Sequence, residues 1–149
     1  MREADLGRVS GIESATFPSP WPYESLEYEF ARNPFCASFV AESAGEVVGY
    51  AFVWMIYEQA HLINVAVDGS RRGRGFGEAL LFHVLSYARR NGAERMHLEV
   101  RENNVPAISL YERYGFQTLG RGENYYSDGT AAIFMEAVLS QLAPGIRPV

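Results

Sequence analysis

The run Leu62-Ile63-Asn64-Val65-Ala66-Val67-Asp68-Gly69-Ser70-Arg71-Arg72-Gly73-Arg74-Gly75-Phe76-Gly77, continued by Glu78 to Arg90, decides the fold. Its first six residues are mostly apolar and β-branched and too few for a helix, so they predict a buried strand. The next ten hold glycine at positions 73, 75 and 77, which leaves the backbone bare and free to take positive φ. From Glu78 onward Leu80, Leu81, Val84, Leu85 and Ala88 repeat at helical spacing. A strand that feeds a glycine loop opening a helix brings unpaired backbone N–H groups and the positive end of a helix dipole together. Such a place binds anions, and a pyrophosphate fits it. Arg71, Arg72 and Arg74 add positive side chains beside it.

The loop narrows the ligand. A Walker loop ends in Gly-Lys-Ser/Thr, which Phe76-Gly77-Glu78 does not supply. A dinucleotide fingerprint spaces its glycines G-x-G-x-x-G, whereas this chain has G-x-G-x-G. A bare glycine-rich turn is the alternative reading of the same residues.

Outward from this stretch, the rest of the chain reads as alternating elements. Asp5 can cap a first helix bearing Leu6, Val9 and Ile12, which ends near Pro18 and Pro20. A second helix carries Tyr23, Leu26 and Phe30 and stops at Asn33-Pro34. Ser38 to Glu42 and Val47 to Tyr57 form two strands of a hairpin, the second apolar enough to lie centrally in a sheet. After the organising helix, Asn91-Gly92 closes it and Met96 to Val100 is a strand. Asn103 or Asn104 caps a helix with Pro106 in its first turn, ended by Gly115. Phe116 to Gly120 and Ala131 to Val138 are strands around a loop at Asn124 to Gly129, and the end of the chain, from about 142 to 149, is a loose tail. Hairpins flanking a strand–helix–strand unit predict an α/β chain with a mixed sheet and helices on both faces, in a single domain over 1–149.

Composition excludes several classes. The 149 residues, 48% hydrophobic, suffice for one core. A net charge of −5 argues against a nucleic-acid partner held by charge and favours a cationic, amine-bearing substrate. The single cysteine, Cys36, rules out a disulfide framework and a cysteine zinc site. His61 and His97 have no i,i+4 partner, so no metal site is expected. No secretory leader and no membrane span are apparent, which fits a cytoplasmic setting. No G-x-S-x-G elbow or other nucleophile arrangement appears.

Two residues carry candidate chemistry. Ligands in such sheets bind beyond the carboxyl ends of parallel strands. Glu99 lies near that end of Met96 to Val100, between Leu98 and Val100. A carboxylate there is either raised in pKa, and a possible base, or paired in a salt bridge, for instance to Arg101 or His97. Tyr111 is either a packing residue or a proton donor.

Several stretches, in order, resemble one family. They are Leu62 to Asp68, Arg72-Gly73-Arg74-Gly75-Phe76-Gly77 (the pattern Q/R-x-x-G-x-G/A), Leu98-Glu99-Val100-Arg101, Asn104, Ala107 to Tyr111, Tyr114-Gly115-Phe116 and Asn124-Tyr125-Tyr126. Together they are similar to the GNAT superfamily of acetyl-CoA-dependent N-acetyltransferases. Phe17-Pro18 and Pro20-Trp21 add a likeness to its bacterial ribosomal-protein-alanine branch, the RimI type. The resemblance covers nearly the whole chain. It implies a mostly antiparallel sheet with one splayed parallel pair. It further implies that the backbone of Val65, Ala66 and Val67, with Asn104, pairs with the pantetheine arm of acetyl-CoA, while Arg72 to Gly77 holds the diphosphate. A backbone N–H near Val65 would polarise the thioester carbonyl. By position Glu99 matches the general base and Tyr111 the general acid, with direct attack, no acyl-enzyme and no metal. Trp21, Glu58, Tyr125 and Tyr126 would line the acceptor side. The implied acceptor is the N-terminal α-amine of a protein, such as the alanine of ribosomal protein bS18, and the implied assembly a monomer or weak dimer. A small-molecule amine acceptor and a non-catalytic CoA-binding module are the competing readings. Two departures stand out. Only Met1 to Ala4 precede the first helix, so the family's first strand should be stunted or missing, and Pro22 follows Trp21 where a capping residue is usual.

Overall fold

The structure is a computed structural model and describes residues 1–142. The tail expected over about 142–149 falls, from 143 on, outside the described residues. Two helices, α1 (Leu6–Thr16) and α2 (Tyr23–Ala31), precede three strands, β1 (Cys36–Ser43), β2 (Glu46–Ile56) and β3 (Gln59–Val67). Helix α3 (Phe76–Arg90), strand β4 (Arg95–Arg101), helix α4 (Val105–Arg113) and strands β5 (Gln117–Gly122) and β6 (Ala132–Val138) follow. No strand precedes α1 among the described residues; Glu3–Asp5 form a short 3-10 turn instead. Asp5 accepts the backbone N–H of Arg2 at 2.7 Å and does not cap α1, which corrects the expected cap.

The six strands form one sheet in the order β1-β2-β3-β4-β6-β5. Only β3 and β4 run parallel, and every other neighbouring pair is antiparallel. Strand β2 is central for the reason its composition suggests: it is buried on both faces. Ala51 and Val53 pack toward α3, while Tyr50 and Phe52 pack toward α1 and α2. The helical stripe of α3 (Leu80, Leu81, Val84, Leu85, Ala88) lies buried in the first cluster with Met96, Leu98 and Val100 of β4. Helix α3 approaches closely because Gly49 carries no side chain. A Cβ there would sit 3.0 Å from the Ala66 carbonyl oxygen and 3.0 Å from Leu80 Cδ1. On the opposite face Val9 and Ile12 of α1 and Leu26 of α2 close the second cluster.

One irregularity sets up the site. Across β2 and β3, Phe52 pairs with Asn64 and Val53 with Leu62, so Ile63 is an extra residue and β3 carries a bulge there. The bulge turns two successive side chains to the α1 face: Ile63 packs in the second cluster and Asn64 reaches Glu13 of α1. The parallel ladder holds from Gln59–Arg95 to Leu62–Leu98 and stops at that point. Beyond it β3 and β4 part, each still paired on its outer side.

Candidate active site

The parted strands open a cleft with two connected chambers. The larger, of about 630 Å³, is walled by Val65, Ala66 and Val67 of β3, by Arg72 and Gly77 of the glycine loop, and by Asn104, Ala107 and Tyr111 of α4 with its cap. The smaller, of about 230 Å³, is walled by Glu13, Trp21, Asn64, Glu99, Tyr126 and Ser127. Phe17, Leu62, Val65, Arg101, Asn104 and Tyr111 form the seam between the two.

The loop of the larger chamber suits an anion. Gly73 and Gly75 have φ of 75° and 85°, values that cost a side-chain-bearing residue about 1–2 kcal/mol. Gly75 stands at the N-cap of α3 and offers no side chain to the first-turn N–H groups, which leaves those donors for a ligand. Arg72 lines the chamber and makes no ion pair among the described residues. Gly73, Arg74, Gly75 and Phe76 join Arg72 to Gly77, with Gly73 and Arg74 exposed to solvent. Arg71 does not join them, contrary to the expectation, because Glu46 of β2 holds its guanidinium at 3.1 Å. Asn104 caps α4, its Oδ1 accepting the Ala107 N–H at 3.3 Å, and lines both chambers.

The smaller chamber gathers the candidate chemistry. Glu99 is paired, but with neither residue that sequence suggested. His97 bonds to Glu136, and Arg101 makes two contacts with Asp128, at 2.8 and 3.0 Å. The partner of Glu99 is His61, whose Nε2 lies 2.6 Å from Oε2. Tyr111 is 7% exposed and packs edge-on against Phe116. Burial, helped by nearby Tyr126, pushes its phenol up to about 12, so it holds its proton at neutral pH and can donate it. Tyr126 lies under the Arg101 guanidinium, 4.1 Å from the ring centroid, and burial pushes its phenol up to about 12 as well.

Not every expected acceptor residue is here. Trp21 lines the chamber, and its backbone N–H bonds to Glu13 at 3.2 Å. Tyr125 stands outside the wall, half exposed and packed edge-on against Tyr126 and Phe134. Glu58 is exposed in the turn between β2 and β3, where its carbonyl accepts the Glu94 N–H at 2.7 Å. It does not reach the cleft.

Glu13 is the residue that sequence reasoning passed over. It is 1% exposed and lines the smaller chamber. Its carboxylate accepts from Tyr50 Oη at 2.5 Å, Asn64 Nδ2 at 2.5 Å and the Trp21 N–H. The available signal was its place four residues after Val9, on the apolar side of α1. Ser19 was passed over too: its hydroxyl meets that of Ser127 at 2.6 Å and joins the loops before α2 and before β6. With Glu13 and Glu99 in its wall, and Arg101 already matched by Asp128, the smaller chamber suits a cation.

Among the described residues no three His, Cys, Asp or Glu side chains gather as a metal site, and no helix is long and apolar enough to cross a membrane. The model of the acetyltransferase (GNAT) family matches residues 7–116. A Bacillus subtilis protein provisionally named a ribosomal-protein-bS18-alanine N-acetyltransferase is 34% identical over 142 residues, 95% of this chain and 94% of its own. An N-alpha-acetyltransferase of Sulfurisphaera tokodaii is 33% identical, over 93% of this chain and 90% of its own. The crystal structure of the Escherichia coli ribosomal-protein-bS18-alanine N-acetyltransferase superposes with a TM-score of 0.87 at 29% identity, over 99% of this chain and 96% of that one. With the family match spanning the strand, glycine loop and helix from which the reading began, this chain belongs to the GNAT family of acetyltransferases.

Proposed function

We propose that the chain moves an acetyl group from acetyl-CoA to the N-terminal α-amine of a protein, an alanine-leading terminus of the ribosomal bS18 kind being the first candidate. The single observation behind this reading is the seam. A protonated phenol, Tyr111, lies where a chamber suited to an anion meets a chamber walled by carboxylates. The relatives' names, bS18-alanine N-acetyltransferase and N-alpha-acetyltransferase, support a peptide acceptor.

Acetyl-CoA brings an acyl group already activated as a thioester. Arg72 and the bare N–H groups up to Gly77 would hold its diphosphate, and Val65, Ala66, Val67 and Asn104 its pantetheine arm. Glu99 takes a proton from the acceptor ammonium and frees the nitrogen lone pair. The freed amine bonds to the acyl carbon as the carbon–sulfur bond breaks; Tyr111 gives its phenolic proton to the departing sulfur and is restored by the second proton that the acylated nitrogen loses. Transfer on this reading is direct, from thioester to amine. Cys36, the one thiol, is outside both chamber walls, and burial followed by the charge of Glu29 pushes it up to about 12.

The test is mass spectrometry of peptides beginning with Ala, Ser or Met, and of small amines, incubated with the protein and acetyl-CoA. A gain of one acetyl group at a peptide α-amine is the expected result. Acetylation of small amines alone would move the acceptor to that class. Acetyl-CoA binding by calorimetry with no acetylated amine at all would leave a binding module.

A further inference from the structure

Glu99 is oriented from behind. An ionised carboxylate only accepts hydrogen bonds, so with Glu99 ionised the 2.6 Å contact places the proton on His61 Nε2. The pair bridges the parallel strands where they begin to part: His61 is in register with His97, and the next rung, Leu62–Leu98, is the last. Trp54 of β2, in register with His61, stands edge-on to its ring at 6.0 Å and 85°. Trp54 is anchored in turn by Glu29 of α2, which accepts its indole N–H at 2.9 Å. The His61 side chain is 34% exposed, so water reaches its ring.

We propose that His61 is the positioning residue of Glu99: it pins Oε2 so that Oε1 is left for the acceptor, and its protonation turns the site off toward acid. The proposal rests on the base role given to Glu99 above. With His61 neutral, an ammonium N–H bond breaks and a Glu99 O–H bond forms; only a proton moves. With His61 protonated, an imidazolium is held against the carboxylate. Its charge opposes both the approach of an ammonium and the arrival of a proton on Glu99. The other ionisable groups around the pair are already engaged. On β4, His97 bonds to Glu136 of β6, which also takes Arg95, while Arg101 is paired with Asp128. In the loop before β6, Tyr125 and Tyr126 lie near enough to Glu99 that its charge helps push both phenols up. From α1, Glu13 is occupied by Tyr50, Asn64 and Trp21. His61 is thus the side chain left in direct contact with the base.

Two measurements decide the proposal. The first needs no turnover: ¹⁵N spectra of the imidazole rings, with His61 identified by its loss in His61→Gln. The neutral ring should be wholly the Nε2–H tautomer, and Glu99→Ala should release it to a mixture. A substantial Nδ1–H population in the wild type would overturn the proposal whether or not an acceptor is known. The second compares kcat across pH, with folding checked by circular dichroism. His61→Gln keeps an N–H donor that does not titrate. It should retain kcat within about threefold at the alkaline plateau and hold activity further toward acid than wild type. His61→Leu should lose about tenfold or more in kcat with the KM for acetyl-CoA unchanged. A His61→Leu protein with the wild-type kcat and pH profile, while Glu99→Gln is dead, would overturn the role of His61 and leave the acetyltransferase reading standing. A wild-type protein that acetylates no amine would overturn that reading, with the tautomer result still deciding the His61–Glu99 link.

Discussion

The two chambers of the cleft differ in how their walls are assembled. One wall of the larger is sequence-local, residues 65–77 supplying its strand edge, its glycine loop and the start of α3, while Arg101, Asn104, Ala107 and Tyr111 close its other side. The smaller is made of side chains brought from afar. Glu13 and Asn64 are 51 residues apart, and Ser19 and Ser127 are 108 apart. On the proposed function, the loop and strand edge would hold what is common to every turnover, a diphosphate and its arm. A wall assembled from separate segments can differ between relatives without disturbing them. The division predicts that damage to one chamber leaves the other's ligand bound.

Glu99→Gln is the strongest test of that division. It should cost roughly 10²–10⁴ in kcat, the range for a lost general base, with acetyl-CoA affinity by calorimetry unchanged. Wild-type turnover would remove Glu99 from the chemistry. Glu13→Ala comes next. It strands the hydroxyl of Tyr50, the amide of Asn64 and the N–H of Trp21 without an acceptor, at about 3 kcal/mol of stability. Urea unfolding reads that loss. Because Asn64 and Trp21 line only the smaller chamber, the peptide KM should rise and that of acetyl-CoA should not.

The same division explains what the sequence disclosed. The strand–loop–helix over 62–90, the element order and the mixed sheet follow from local periodicity and turn residues, and those signals lie within about 30 residues of one another. Asn104 was legible as a cap for the same reason. The partner of Glu99 was not. Sequence offered His97 and Arg101 by proximity, yet residues on one strand two positions apart share a face without meeting as closely as residues across a ladder. His61 reaches Glu99 diagonally, from its rung with His97 to the residue just past the last β3–β4 rung, a neighbour visible only once the register is known. Glu58 was misjudged for a related reason: it lies at the hairpin turn, at the closed end of the strand pair, while the cleft opens where the pair parts. Glu13 stayed hidden because a charged residue on an apolar stripe signals burial only when its donors, 37 and 51 residues away, are known.

Arg72→Ala probes the larger chamber in a milder way. A charge-assisted hydrogen bond to a phosphate contributes about 2 kcal/mol, so the KM for acetyl-CoA should rise roughly 30-fold. The peptide KM should stay put. Parallel rises in both constants would mean that the two chambers are coupled through the seam. Arg71→Ala serves as the contrast, since that side chain is turned to Glu46 and should leave the acetyl-CoA KM near wild type.

The smallest effect concerns the loop over the side-chain chamber. Asp128 ties residues 124–130 down: its Oδ1 accepts the Thr130 N–H at 3.0 Å and its carboxylate meets Arg101. The Thr130 backbone N–H first, then the Thr130 side chain and the Arg101 guanidinium, hold the carboxyl at about 2, below its usual 3.8. A depressed carboxyl stabilises the fold above its unfolded value and loses that contribution as pH falls toward its folded one. The tie is therefore complete above about pH 4 and is lost through about pH 2. Hydrogen-exchange protection of the loop amides should be level from pH 8 to 5, and Asp128→Asn should lower it at every pH. A decline in wild-type protection already between pH 7 and 5 would mean that the Asp128 carboxylate is not what ties the loop down.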